Sequence, residues 1–219
     1  LKNYQNSYIK CLDVCSSPVN SHDFPGRMII AKQAKNLKCK CIFGGDGADE
    51  LFGGYETYRQ KILNKNINKS NYTKLLYIDF FNKNLELNYF KKKLNFYWKK
   101  SLKSYNFIKN LDERNRQAMM LIDTAIQLSS VGLRGTDLMS MYNSVEPRSP
   151  FLRKDIIKFA LNLPIKFKVK LHSKHKIKNK VLLSKLFVKY FGNDLLFPKQ
   201  GFSGFPNEIN NNLKNSKNY

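Results

Sequence analysis

Apolar positions first organise the chain between Arg27 and Leu37, where Met28, Ile29, Ala31, Ala34 and Leu37 recur at helical spacing and Pro25-Gly26 supplies a start. A short apolar run, Cys39 to Phe43, follows and stops at Gly44-Gly45. The pattern predicts a helix feeding a buried strand, the unit from which parallel α/β sheets are assembled. Residues 60 to 110 hold no Gly or Pro and are rich in Lys, Asn, Tyr and Phe, which predicts helices with polar connections. Further helices are expected from Glu113 to Leu128, from Lys154 to Leu163 and from Asn179 to Phe191. In the second of these, Ile156, Ile157, Phe159, Ala160 and Leu163 form one stripe closed by Pro164. There is no internal repeat and no linker, so the reading is one α/β domain with a largely helical C-terminal half.

Composition changes this picture little. With 219 residues and 42% apolar content the chain can bury a core. It opens at Leu1 without an initiator methionine. The polar stretch Leu1 to Lys10 carries neither the apolar centre of a signal peptide nor a spanning segment, so we expect a fragment of a soluble, cytoplasmic chain with no membrane partner. The charge is large, 39 Lys plus Arg against 16 Asp plus Glu for a net +23. Nucleic acid is one reading. The charge is nearly all lysine, however, is spread along the chain and travels with asparagine and isoleucine, as in Asn64 to Lys69, and we read it as surface solvation. Cys11/Cys15 and Cys39/Cys41 suggest a metal site or disulfides. Cys39 and Cys41 alternate with Lys40 in the expected strand and share one face, where free cysteine acts as a small buried hydrophobe, so no zinc site is expected.

Three blocks carry candidate chemistry. Residues 44 to 55 read Gly-Gly-Asp-Gly-Ala-Asp-Glu-Leu-Phe-Gly-Gly-Tyr and put Asp46, Asp49 and Glu50 within five positions of a chain short of acids. Glycines allow close backbone approach, and clustered carboxylates suit a magnesium ion shared with phosphates. The loop beyond a parallel strand is also where ligands bind in such sheets. The competing reading is a turn from strand to helix, with Asp49 or Glu50 as favourable first-turn charges. In Leu133 to Phe151, Glu146 and Arg148 flank Pro147 and can pair as a brace, while Arg134 can clamp a carboxylate or phosphate through its planar fork. In Lys178 to Phe202, Lys180 heads an apolar helix, where a lysine is either solvated or, facing an anionic pocket, able to stabilise developing charge.

In this order the blocks resemble the C-terminal synthetase domain of the glutamine-dependent asparagine synthetases, over Ser17 to Pro206. Gly45 to Tyr55 is similar to the family signature Ser/Thr-Gly-Asp/Glu-Gly-Ala/Ser-Asp-Glu-Leu-Phe-Gly-Gly-Tyr. Glu146 to Leu152 resembles Glu-Val-Arg-Val-Pro-Phe-Leu, and Pro198 to Phe202 resembles an Arg-Lys-Gln-Gly-Phe-like ending.

The resemblance implies an ATP-pyrophosphatase-like (adenine nucleotide alpha-hydrolase-like) parallel-sheet fold, here only its later strands. It implies reaction of ATP with aspartate to β-aspartyl-AMP and attack by glutamine-derived ammonia; a homodimer stays open for the full-length protein, whose oligomeric state the sequence does not give. By position it makes Asp49 a Mg2+ ligand, Asp46 the acid facing the intermediate, and Lys180 the stabiliser of developing charge. Gly45 and Gly47 then shape the pocket, and Arg134 with Asp137 forms its substrate side. The chain departs from the family at Gly44, Ser149 and Ser184, which stand where Ser/Thr, an apolar residue and arginine are usual. It also has neither a Ser-Gly-Gly-Leu-Asp-Ser pyrophosphate loop nor an N-terminal catalytic cysteine, so the fragment alone is expected to be inactive. Relatives that close β-lactam rings, cyclise peptides or amidate sugars keep other acids open as substrates. A non-catalytic remnant or an RNA-binding module stays as the reading from a different class.

Overall fold

The computed structural model describes residues 2–16, 23–55, 85–171 and 177–195. The helices expected within 60 to 84 and the Pro198 to Phe202 block lie outside the described residues. The chain divides into two compact units: the described parts of the first are 2–16, 23–45 and 129–150, and those of the second are 46–55, 85–128, 151–171 and 177–195.

In the first unit, α1 (Lys2–Cys15) and α2 (Phe24–Asn36) precede β1 (Cys41–Phe43). The unit resumes later with the helix Arg134–Met141 and β2 (Glu146–Arg148). Cys11, Cys15, Phe24, Met28 and Met139 form its core. In α2 the buried positions Phe24, Met28, Ala31 and Ala34 follow the predicted stripe, but Leu37 lies beyond the helix and is 75% exposed. The α1 helix is an addition to the sequence reading. Its Tyr4, Tyr8, Cys11 and Cys15 repeat at intervals of four, three and four, a stripe that the polar character of Leu1 to Lys10 obscured.

β1 and β2 pair in parallel, with Cys41 opposite Glu146, Ile42 opposite Pro147 and Phe43 opposite Arg148. Pro147 is tolerated because β2 pairs on one side only among the described residues. The expectation of a buried strand is corrected: Cys39 and Cys41 are exposed and Phe43 is 74% exposed. With one neighbouring strand among the described residues, this three-residue strand turns only its middle residue, Ile42, partly inward.

The second unit is mainly helical. It contains α3 (Ala48–Phe52), α4 (Leu85–Ser104) and α5 (Leu111–Ile122). The Asn110 side chain caps α5 by accepting from the Glu113 N–H at 3.0 Å. The helix predicted to run to Leu128 instead widens into a π-helical stretch, Asp123–Leu133, which leads into α6 (Arg134–Met141) of the first unit. After a 3-10 turn at Pro150–Leu152 come α7 (Lys154–Asn162), α8 (Ile165–Lys168), a β3/β4 pairing of Lys170–Leu171 with Ile177–Lys178, and α9 (Val181–Phe191).

One core joins Leu94, Trp98, Met119, Met120 and Ile122; a second joins Leu51, Phe52 and Ala160, with Leu152, Ile156, Leu182 and Leu183 against it. The α7 stripe packs as predicted except at Phe159, which is 53% exposed. Residues of α3 thus sit inside the second core, and that fixes the acid-rich segment beside them.

Candidate active site

The segment Asp46–Tyr55 folds as a turn, one short helix and a second turn, and its glycines do different work. Gly47 begins α3 with φ +89°, and the space its Cβ would need is taken by the Leu152 side chain. Gly54 is hemmed in by the site itself: a Cβ there would collide with Asp49 Oδ1 and Lys180 Cε. Gly45 faces open space, so steric need does not explain it among the described residues.

Asp49 lies in the first turn of α3, and its Oδ1 meets Lys180 Nζ at 2.9 Å. Both side chains keep about a quarter of their surface in solvent, 27% and 28%, so the pair is built but reachable. Lys180 is held in the left-handed region, φ 48° and ψ 43°, immediately before α9. For a non-glycine residue this conformation costs about 1–3 kcal/mol and persists only where neighbours enforce it. Here the Ser184 N–H donates to the Lys180 carbonyl at 2.8 Å, and the Gly54 N–H donates to the Asp49 carbonyl at 2.8 Å.

Next to the pair, Glu50 is buried and accepts from the Tyr55 hydroxyl. Burial chiefly pushes its carboxyl up, against the Tyr55 hydrogen bond, with Asp49 and Asp123 adding repulsion. Burial, then the bond to Glu50, raises the Tyr55 phenol as well. Asp46 is half-buried in the turn before α3.

Arg134, Asp137 and Gly45 belong to the first unit. Arg134 is exposed at the start of α6, and one guanidinium nitrogen donates to the Cys15 carbonyl at 3.1 Å, closing the C-terminus of α1. Asp137 is exposed one turn on. The expected brace is present, with Arg148 on Glu146 at 3.1 Å on the surface. Cys11 and Cys15 lie in the apolar core and form no disulfide; burial, then Cys15, pushes Cys11 up to about 12, which disfavours the thiolate that a metal needs.

The structure therefore joins the first and third sequence blocks through one ion pair. The family model for asparagine synthase matches residues 3–216. The chain belongs to the asparagine synthase family. Neither the curated proteins nor the solved structures yield a match.

Asparagine synthase family membership makes this an enzyme of the ligase or amidotransferase type, ATP-dependent and acting on small molecules. Among the described residues no helix is long and apolar enough to cross a membrane, and no three His, Cys, Asp or Glu side chains converge on a metal position. The donors present suit a magnesium ion shared with nucleotide phosphates, for which one or two carboxylates suffice, and do not make an all-protein cage. Sequence reasoning passed over Gly54, Tyr55, Asp123 and Asn179. The first two stand inside the signature, and the i to i+5 spacing of Glu50 and Tyr55 was the available signal. Asp123 and Asn179 carry none, because only folding brings them near the acids.

Proposed function

We propose that this chain is the later part of a synthetase domain that amidates aspartate to asparagine through β-aspartyl-AMP, with ammonia derived from glutamine, on an ATP-pyrophosphatase-like fold in the cytoplasm. The observation that carries the reading is the Asp49–Lys180 pair at 2.9 Å, which unites an acid and a base from distant sequence blocks at a half-open, conformationally strained corner.

In this mechanism Asp49 would hold Mg2+, which when bound would neutralise phosphate charge. Lys180 stabilises the oxygens on which charge develops as the aspartate carboxylate displaces pyrophosphate. Asp46 faces the acyl-adenylate, Gly45 leaves the approach open, and Gly47, whose missing side chain makes way for Leu152, sets the turn that carries Asp46. Arg134 binds the carboxylate substrate through its planar guanidinium, together with Asp137. Glu50 and Tyr55 stay behind the reacting atoms and keep α3 in place.

The test is release of pyrophosphate and AMP from ATP by the full-length protein with magnesium and ammonium, comparing aspartate with a panel of other carboxylic acids. Aspartate-dependent release with asparagine as product is expected. Release with a different acid would keep adenylation and overturn the substrate. No release with any acid would overturn the proposal.

A further inference from the structure

We infer that Asn179 is a positioning residue for the Asp49–Lys180 pair, an inference that rests on the function proposed above. Its amide nitrogen donates to the Gly54 carbonyl at 3.2 Å, and its own backbone carbonyl accepts from the Ser184 hydroxyl at 3.4 Å. Gly54 is the residue whose missing side chain makes room for Asp49 Oδ1 and Lys180 Cε. Asn179 therefore ties the turn that borders the ion pair to the residue directly before Lys180. One side-chain hydrogen bond thus links the residue before the strained left-handed lysine to the turn whose Gly54 N–H holds the Asp49 carbonyl.

The other half of the amide makes the case stronger. Asn179 Oδ1 is buried and has no hydrogen-bond partner among the described residues. A buried acceptor without a donor is destabilising, and an apolar residue of the same shape would remove that cost. The orphaned oxygen offsets much of what the Gly54 hydrogen bond contributes, so stability alone does little to favour asparagine here. What asparagine supplies and leucine does not is the N–H on Gly54. Local rules broken in this way are expected where a site, rather than the core, sets the residue.

The experiment uses the full-length protein with Asn179→Leu and Asn179→Asp. Leucine keeps the volume and deletes the donor; aspartate keeps the shape and sets a carboxylate against the Gly54 carbonyl. Three quantities are read: aspartate-dependent pyrophosphate release, the melting temperature, and the rate at which acetic anhydride labels Lys180, followed by peptide mass spectrometry with Asp49→Asn as the reference for a released lysine.

The expected result for Asn179→Leu is kcat lowered at least about ten-fold with KM for ATP within about three-fold and the melting temperature within a few degrees of wild type, as misplacement of a catalytic group predicts. Lys180 labelling should rise toward the Asp49→Asn rate, and Asn179→Asp should lose more activity than Asn179→Leu. Wild-type kcat and labelling in both variants would overturn the inference, as would a loss of activity that simply follows a fall in melting temperature. If the wild type turns over no acid at all, the proposed function fails, and the labelling rates alone then decide whether Asn179 holds Lys180.

Discussion

The acid-rich corner of the second unit and the Arg134–Arg148 block of the first treat their charged residues in opposite ways. In the corner Glu50 is buried, Asp49 is matched to Lys180, and Gly47 and Gly54 are required by side chains that press on them. In the other block Arg134, Asp137, Glu146 and Arg148 are all exposed, and their partners include a helix-end carbonyl and a surface ion pair. Exposed pairs of that kind contribute about 0–1 kcal/mol. The difference teaches that charge density in a sequence does not by itself mark a site. What marks one is charge that the fold constrains at a cost.

The largest effect should come from the corner. Asp49→Asn keeps the shape of the side chain and removes the charge that faces Lys180, and we expect turnover of the full-length protein to fall by about 10³-fold with the melting temperature within a few degrees. Full activity in this variant would remove Asp49 from the metal and pair roles together. Gly54→Ala comes next. The added methyl must push Asp49 or Lys180 aside, and a displacement of about 1 Å at a reacting group costs about 10²-fold in kcat, accompanied here by about 1–3 kcal/mol of stability. A variant with unchanged steady-state kinetics would show that the corner tolerates movement and would weaken the contrast with the first unit.

The contrast is sharpened by Arg134→Ala, for which we expect a smaller change: KM for the carboxylate substrate up by about ten-fold with kcat nearly unaltered, the signature of lost ground-state binding. If KM stays put and the melting temperature alone drops slightly, Arg134 serves only as the cap on α1, worth about 0.3–1 kcal/mol.

These two regions were unequally legible in the sequence. The corner announced itself because its glycines, acids and spacing lie within a dozen consecutive residues, and α2 and α7 followed their apolar periods closely, whereas α9 buries only Val181 and leaves Leu186, Tyr190 and Phe191 exposed. Periodicity could not show that Phe43, Leu37 and Phe159 face outward, since their burial depends on which neighbours the sheet and helices acquire. Nor could it separate one lysine from another. Lys180 sits in a run of basic residues, and its partner is set by a tertiary contact. The π-helical stretch at Asp123–Leu133 has the composition of an ordinary helix, so its altered geometry left no local mark.

Across the Gly53–Gly54 turn the comparison can be repeated within the second unit. Gly54 lies against Lys180, whereas Gly53 lies against Val169 and Lys168. Lys168 is fully buried, and its ammonium meets the Gln117 side-chain oxygen at 2.9 Å, with the carboxylate of Glu113 near enough to help but not to compensate. Burial lowers its pKa from 10.5 to about 7. The sign follows from proton counts. Between about pH 7 and 10.5 the unfolded chain keeps the Lys168 proton and the folded chain has lost it, so folding becomes more favourable as pH rises; below about pH 7 both states are protonated and the full cost of a buried charge is present.

Lys168→Met removes that titration while keeping most of the stem, and it leaves the Gln117 oxygen unpaired at every pH. The stability of the methionine variant relative to wild type should therefore fall steadily from pH 7 to 10, by no more than about 1.4 kcal/mol per pH unit, the limit for one proton. Turnover at pH 7.5 should hardly change, because Lys168 has no part in the ion pair. Parallel pH-stability curves for the two proteins would mean that Lys168 keeps its proton on folding, and the two lysines flanking this turn would then be alike in charge and distinguished only by access to substrate.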